Sequence, residues 1–213
     1  MEVKRIINLV ILDASGSMES IYSQALSGVN ETIQTIRMGQ QDHPELQQLL
    51  TLASFNSGKE YLKVKYSVAP IVEVRELTQE DYKACGCTAL YDAMGETISE
   101  LKRKVTIEDR VLVTVITDGY ENASVHWSGQ QIKSLVEELR HEGWTFTYIG
   151  SNQDVEAVAG SMGIRNMMAF VETAEGTCAM FETDRASRAK LFNKLQTISF
   201  ARSLEEDDDY FEK

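Results

Sequence analysis

Oxygen-bearing side chains follow the first apolar segment of the chain at alternate positions. Asp13, Ser15 and Ser17 come directly after residues 6–12, which have the nearly continuous apolar character of a buried strand. Gly16, between the two serines, allows the backbone to fold tightly around these side chains. Carboxylate and hydroxyl oxygens are hard ligands of the kind that Mg²⁺ binds in proteins. This junction therefore predicts a site for a divalent cation.

Two later segments bring further oxygen ligands. Asp118 follows the β-branched run at 110–117, just as Asp13 follows the first strand. Thr88 stands in a loop that ends at the start of a predicted helix, where its hydroxyl is free to turn towards the same crevice. Because the carboxyl ends of parallel strands meet at one edge of a sheet, we expect the three loops to converge on one cation.

Strands and helices alternate along the chain and would position these loops. The predicted strands are residues 6–12, 49–55, 60–66, 110–117, 145–149 and 167–170, and the predicted helices are residues 22–36, 89–104, 130–141, 154–162 and 175–195. The second and third strands form a hairpin around residues 56–58. The first helix is predicted to end before Gly39. This order predicts an α/β fold: a doubly wound, Rossmann-like, mostly parallel sheet with one antiparallel edge hairpin and helices on both faces.

The three motifs, in this order, resemble those of a von Willebrand factor type A (vWA) domain, and in particular the intracellular bacterial branch of that family. They are Asp-x-Ser-x-Ser, Gly-x-Thr and Thr-Asp-Gly, and only Cys87 departs locally, since glycine is common there in similar proteins. The resemblance implies a metal-ion-dependent adhesion site, in which the serines and the threonine bind a divalent cation and the aspartates bind it directly or hold its waters. The residues carried over are Asp13, Ser15, Ser17, Thr88 and Asp118.

The chemistry of these side chains favours binding over catalysis. Neutral hydroxyls leave most of the charge of the cation uncompensated, so an open coordination position attracts an anionic oxygen from outside. We therefore expect a protein-interaction module, not an enzyme, in which an Asp or Glu of another protein completes the shell of Mg²⁺ or Mn²⁺. The alternative is a metal-assisted hydrolase or phosphotransferase that uses the strand-end Asp13 and Asp118.

Other readings of these segments remain open at this point. A strand-end Asp followed by Ser and Gly also serves as an ordinary turn or helix cap. Cys85 and Cys87 suggest a redox or zinc site, but a Cys-x-Cys pair without nearby ligands falls short of four, which favours loop packing. His126 and Trp127 follow Asp118 closely and either line the rim of the crevice or pack the loop.

Composition and charge restrict the partners and the compartment. The chain has 213 residues, 43% of them hydrophobic, which fits one domain over residues 1–200 with an acidic, flexible tail at 201–213. A formal net charge of -12 argues against a nucleic-acid partner. The absence of an apolar run of about 18 residues argues against a membrane partner. Three cysteines without secretory features predict a cytoplasmic protein, whereas the oligomeric state is not predicted.

Overall fold

A six-stranded sheet forms the centre of the protein. The computed structural model describes residues 4–151, 153–197 and 209–211. Its strands are β1 (Lys4–Asp13), β2 (Leu46–Phe55), β3 (Leu62–Pro70), β4 (Arg110–Thr117), β5 (Thr145–Gly150) and β6 (Asn166–Ala169), and its α-helices are α1 (Tyr22–Asp42), α2 (Leu90–Lys102), α3 (Gly129–His141), α4 (Val155–Ser161) and α5 (Ala174–Thr197). The strand order is β3-β2-β1-β4-β5-β6, and β3 is antiparallel to β2. The predicted α/β, mostly parallel sheet with an antiparallel edge hairpin is confirmed.

The strand order changes direction between β1 and β4: β2 and β3 lie on one side of β1, and β4, β5 and β6 lie on the other. Strands β1 and β4 are parallel neighbours, and their register pairs Leu12 with Ile116, so that Asp13 and Thr117 come level at the strand ends. The connection after β1 leads to one side of the sheet and the connection after β4 leads to the other, which opens a crevice at the carboxyl ends of this pair. Asp13 and Asp118 therefore meet at the place where ligands of such sheets bind.

Apolar side chains of β1 point alternately to the two faces of the sheet. Ile7, Leu9 and Ile11 pack with α2, α3 and α4 on one face, whereas Val10 and Leu12 pack with α1 and α5 on the other. Both faces of the strand are therefore buried, which explains why its sequence is nearly continuously apolar.

Helices α1 and α5 pack closely because two glycines of α1 face aromatic rings of α5. A Cβ on Gly28 would lie 1.9 Å from the ring of Phe181, and one on Gly39 would lie 2.5 Å from the ring of Phe192. The prediction that the first helix ends before Gly39 is wrong, since α1 continues to Asp42. Gly39 is a packing residue inside the helix, and its lack of a side chain serves the helix interface.

Other element boundaries differ from the predictions at several ends. The hairpin strand β3 runs over Leu62–Pro70, not 60–66, because its pairing with β2 continues past the alternating segment. Strand β2 begins at Leu46, where it already pairs with Lys4 of β1. Pairing between strands sets these ends, and a single segment does not display it. Within the described part of the chain, no helix is long and apolar enough to cross a membrane.

A buried ion pair fixes α5 to the sheet. Arg188 is completely buried and donates hydrogen bonds to Asp184 of its own helix, to Asn8 of β1 and to Thr114 of β4, all at 3.0–3.1 Å. Tyr210 donates to the other carboxylate oxygen of Asp184 at 2.8 Å. Removal of one partner from such a network leaves a buried charge uncompensated, so the network holds α5 in one position.

Tyr210, in the described part of the predicted tail, is buried against the domain. Tyr210 is 4% exposed and packs against Leu112 and Leu191. Its ring contacts Phe211 in an edge-to-face arrangement with the centroids 4.7 Å apart. This tyrosine of the predicted tail packs on the domain, because its ring and hydroxyl both have partners there. Residues 201–208, 212 and 213 of the predicted tail lie outside the described residues.

Substitution of Gly28 by alanine tests the packing of α1 on α5. We expect Gly28→Ala to lower the free energy of unfolding by about 1–3 kcal/mol, because the added methyl group overlaps the Phe181 ring. Gly160→Ala is the matched control, since Gly160 lies in α4 with open space around it and alanine favours a helix by up to about 1 kcal/mol. Urea unfolding measures both variants, and equal destabilisation of the two would contradict the packing argument.

Candidate metal centre

The Asp13 carboxylate is fixed by two hydrogen bonds at the end of β1. It is fully buried, its Oδ1 accepts from the Ser15 amide at 2.7 Å, and its Oδ2 accepts from the Thr117 hydroxyl at 2.6 Å. The Tyr82 hydroxyl donates to the Asp13 carbonyl at 2.8 Å. Both carboxylate oxygens are therefore oriented by the two central strands and the first loop, as a positioning group requires.

Three hydroxyls and a second carboxylate gather beside Asp13. Ser17 donates to Asp118 Oδ1 at 2.7 Å, and the Ser15 and Ser17 hydroxyl oxygens are 3.1 Å apart. The Thr88 hydroxyl lies near the same place, because a Cβ added to Gly119 would be 3.6 Å from Thr88 Oγ1 and 3.9 Å from Ser17 Oγ. The structure thus brings together all five residues that the motifs select: Asp13, Ser15, Ser17, Thr88 and Asp118.

Backbone hydrogen bonds join the loop before Thr88 to the loop after β1. The Gly16 amide donates to the Gly86 carbonyl at 2.9 Å, and the Cys85 amide donates to the Ala14 carbonyl at 2.8 Å. Gly86 has a φ of +77°, in the left-handed region that L side chains rarely adopt. The glycine of the Gly-x-Thr motif is thus required by the backbone that places Thr88.

Asn122 ties the Thr88 loop to the loop after β4. The Thr88 amide donates to Asn122 Oδ1 at 2.9 Å, and the Asn122 amide donates to the Thr88 carbonyl at 3.0 Å. This reciprocal pair holds Thr88 and Asp118 in one unit. Sequence reasoning missed Asn122, whose only signal is its position four residues after Asp118.

Asp92 shapes the rest of the same loop from α2. It is 2% exposed and accepts hydrogen bonds from the backbone amides of Val125, His126 and Trp127 at 2.7–2.9 Å. Three donors compensate the buried charge and fix the loop on the helix. Sequence reasoning also missed Asp92, although a carboxylate between the apolar residues of the first helical turn was a signal that could have been used.

Trp127 packs the loop and does not stand on an open rim. Its indole covers Gly95 of α2, where a Cβ would lie 2.1 Å from the ring, and its side chain is half-buried. His126 is exposed. Of the two readings that the sequence left open for Trp127, the structure shows loop packing.

The two cysteines of the Cys-x-Cys pair belong to the loop framework. Cys85 and Cys87 are both exposed and free of disulfides. The Asn56 side chain donates to Cys85 Sγ at 3.2 Å, and the Cys87 amide donates to the Ser57 hydroxyl at 2.9 Å. No group of three or more His, Cys, Asp or Glu side chains suited to a metal lies within residues 4–151, 153–197 and 209–211. The pair therefore has no further ligands there for zinc.

Burial raises the pKa values of both carboxyl groups of the centre. Burial is the largest cause that raises the pKa of Asp118, to about 6. The Ser17 hydrogen bond opposes this shift, and the negative charges of Asp13 and Glu172 add to it. Burial also raises the pKa of Asp13, although hydrogen bonds from Thr117 and Ser15 oppose this effect. Two buried carboxylates with hydroxyl neighbours thus lack a compensating positive charge among the described residues.

The donor set fits a hard divalent cation. Asp118 Oδ2 is buried, and no N–H or hydroxyl group of the described residues donates to it; its side-chain neighbour is the carboxyl group of Glu172, and the other oxygen of Asp118 accepts from Ser17. A buried carboxylate oxygen without a donor is costly unless a cation or an ordered water satisfies it. Carboxylate and hydroxyl oxygens suit Mg²⁺ or Mn²⁺ and do not suit the softer metals.

Comparisons with known proteins show the fold alone. No protein-family model matches the chain, and no curated protein matches its sequence. The pilus adhesin SpaC of Lactobacillus rhamnosus GG aligns at a TM-score of 0.67 and 14% identity, over 90% of this chain and 31% of SpaC. Proximal thread matrix protein 1 from the mussel byssus aligns at a TM-score of 0.61 and 14% identity, over 84% of this chain and 45% of the mussel protein. The PilB minor pilin of Streptococcus sanguinis aligns at a TM-score of 0.62 and 10% identity, over 93% of this chain and 64% of PilB. The chain spans less than two thirds of the length of each of these three proteins.

Substitution of Asp118 by asparagine tests the electrostatic cost of the centre. The folded-state pKa of Asp118 lies above its unfolded value, so its ionisation destabilises the fold as pH rises from about 4 to about 6. We therefore expect Asp118→Asn, in EDTA, to raise the free energy of unfolding by roughly 1–3 kcal/mol at pH 7 and by little at pH 4. Urea unfolding across this range measures the difference, with the surface substitution Asp42→Asn as control. Parallel pH profiles for wild type and Asp118→Asn would contradict the argument.

Proposed function

We propose that this protein is a divalent-metal-dependent protein-interaction module of the vWA type. Its metal site is formed by Asp13, Ser15, Ser17, Thr88 and Asp118, and an Asp or Glu of a partner protein completes the shell of Mg²⁺ or Mn²⁺. The observation that carries the proposal is the buried Asp118 Oδ2, to which no N–H or hydroxyl group of the described residues donates, beside three converging hydroxyls.

Each residue has a distinct part in this proposal. Ser15, Ser17 and Thr88 contribute neutral oxygens, and Asp118 contributes a charged one. Asp13 orients the first loop through its bonds to the Ser15 amide and the Thr117 hydroxyl. When bound, the cation supplies a positive centre that attracts an anionic oxygen from outside. A ligand set with few carboxylates favours this attraction, because it leaves positive charge uncompensated.

Exposed apolar side chains in the loop after Asp118 and in the turn before α5 support a macromolecular partner. Tyr120 follows Asp118 by two residues and is 52% exposed, and its hydroxyl accepts a hydrogen bond from the Asp154 amide. Val125, in the same loop, is 80% exposed, and Val171, before α5, is 68% exposed. Apolar and aromatic side chains around a polar anchor are typical of protein interfaces.

We propose a cytoplasmic location from the cysteine chemistry. Cys85, Cys87 and Cys178 are exposed and form no disulfide with one another. Exposed free thiols persist in a reducing compartment and oxidise outside it. The net charge of -12 also supports a protein partner over a nucleic acid.

A metal-assisted hydrolase or phosphotransferase is the second candidate. Both oxygens of Asp13 are engaged in hydrogen bonds, which makes Asp13 a poor nucleophile. Glu172 is the carboxylate that favours this candidate, because it is half-exposed beside Asp118 and could act as a base. Mg²⁺-dependent turnover of a phosphomonoester panel, abolished by Glu172→Gln, would support catalysis, and absence of turnover would weigh against it.

Affinity capture from a native lysate tests the interaction module. We expect a partner to be retained in Mg²⁺ and released by EDTA, because the partner's carboxylate binds through the cation. Asp13→Ala and Ser17→Ala should reduce retention at least tenfold, which corresponds to the loss of about 1.4 kcal/mol or more. Ser17 is exposed, so its variant leaves the core intact.

Glu156→Ala is the control for this capture, since Glu156 is an exposed carboxylate on α4. Thermal unfolding of each variant in EDTA shows whether it is folded. If both site variants capture the partner as well as wild type does, in Mg²⁺ and in EDTA alike, the proposal is contradicted.

A further inference from the structure

A carboxylate outside the five motif residues faces the centre from the segment between β6 and α5. The Ser20 hydroxyl donates to Glu172 Oε1 at 2.8 Å, across 152 positions of the chain. The same hydroxyl lies 3.1 Å from the Ser17 carbonyl. Ser20 belongs to the 3-10 helix Gly16–Ile21 that carries Ser17. Glu172 is therefore attached to the short helix that presents one of the proposed metal ligands.

Glu172 also lies close to Asp118. The two side chains are in hydrogen-bonding contact through their carboxyl groups. Asp118 Oδ2 is buried, and no N–H or hydroxyl group in the described part of the chain donates to it. Carboxylate oxygens do not donate to each other when both are ionised, so this proximity is unfavourable unless a cation or a proton lies between them.

Hydrogen bonds and close packing hold the turn that carries Glu172. The Thr173 amide donates to the Val171 carbonyl at 2.8 Å, and Thr173 caps α5 by accepting from the Gly176 amide at 3.1 Å. Gly176 packs directly on this turn, since a Cβ there would lie 2.2 Å from the Val171 carbonyl oxygen. The backbone around Glu172 is thus held by the start of α5, and its side chain by Ser20.

We propose that Glu172 is an internal competitor for the open side of the metal centre, which a partner's carboxylate must displace. The inference rests on the proposed function, because it requires a cation held by Asp118 and the hydroxyls. Glu172 offers the same chemical group that the partner offers, from within the chain and at no cost of association. Such a competitor lowers the apparent affinity for the partner by the fraction of molecules in which Glu172 holds the position. Only a partner that adds further contacts then binds tightly.

Mn²⁺ titration with water-proton relaxation tests this inference without a partner. At saturating Mn²⁺, we expect Glu172→Gln to give a higher relaxivity than wild type, because a neutral amide is a weaker ligand and leaves a position to exchanging water. Acetate is the carboxylate probe, and it should bind the Mn²⁺ complex of Glu172→Gln about tenfold more tightly than that of wild type. Glu172→Ala should act in the same direction, which separates loss of charge from altered side-chain packing.

Glu175→Gln is the matched control, since Glu175 is an exposed carboxylate in the first turn of α5. It should leave relaxivity and acetate affinity at the wild-type values. Equal relaxivity and equal acetate affinity in wild type, Glu172→Gln and Glu172→Ala, all with Mn²⁺ bound, would overturn the role of Glu172 and leave the metal centre standing. No Mn²⁺ binding by any of the proteins would overturn the proposed function and this inference together.

Discussion

The hydrogen bond between the Thr117 hydroxyl and the Asp13 carboxylate, 2.6 Å long, joins the ends of the two central strands. It exists because β1 and β4 are parallel neighbours in a register that brings their last residues level. Everything at the candidate centre depends on that pairing. The fixed carboxylate orients the first loop through the Ser15 amide, and the strand that ends at Thr117 delivers Asp118 next to the hydroxyl of Ser17.

The centre is costly to build without a cation. Asp13 and Asp118 are buried with raised pKa values, and Glu172 adds a third negative charge nearby. The surrounding structure compensates through rigid packing: the Asn122 clamp on Thr88, the amide donors to Asp92 and the buried Arg188 network that anchors α5. This arrangement, in which a stable frame holds a strained polar cluster, is typical of binding sites, because function and stability make opposed demands on the same residues.

Local patterns were enough to predict the fold and to select the five residues that the structure brings together at the β1–β4 crevice. The run at 110–117 could be identified as a central strand because both its faces are apolar, and the structure has β4 over those residues. Gly39 was misread because a helix-ending glycine and a packing glycine look alike until the partner ring, here Phe192, is known. Glu172 and Tyr210 escaped notice because their positions depend on α5 returning across the sheet to pack on α1, which no local segment encodes.

The central claim is that Ser15, Ser17, Thr88 and Asp118 hold a divalent cation at the β1–β4 crevice. Anomalous diffraction from crystals grown with Mn²⁺ tests it most directly, because it locates the metal independently of any partner. The account predicts a single strong anomalous peak at about 2.0–2.3 Å from the Ser15 and Ser17 hydroxyl oxygens, with further electron density for waters or a carboxylate on its open side. A well-ordered crevice without a peak, or a peak at another group of residues, would contradict the account.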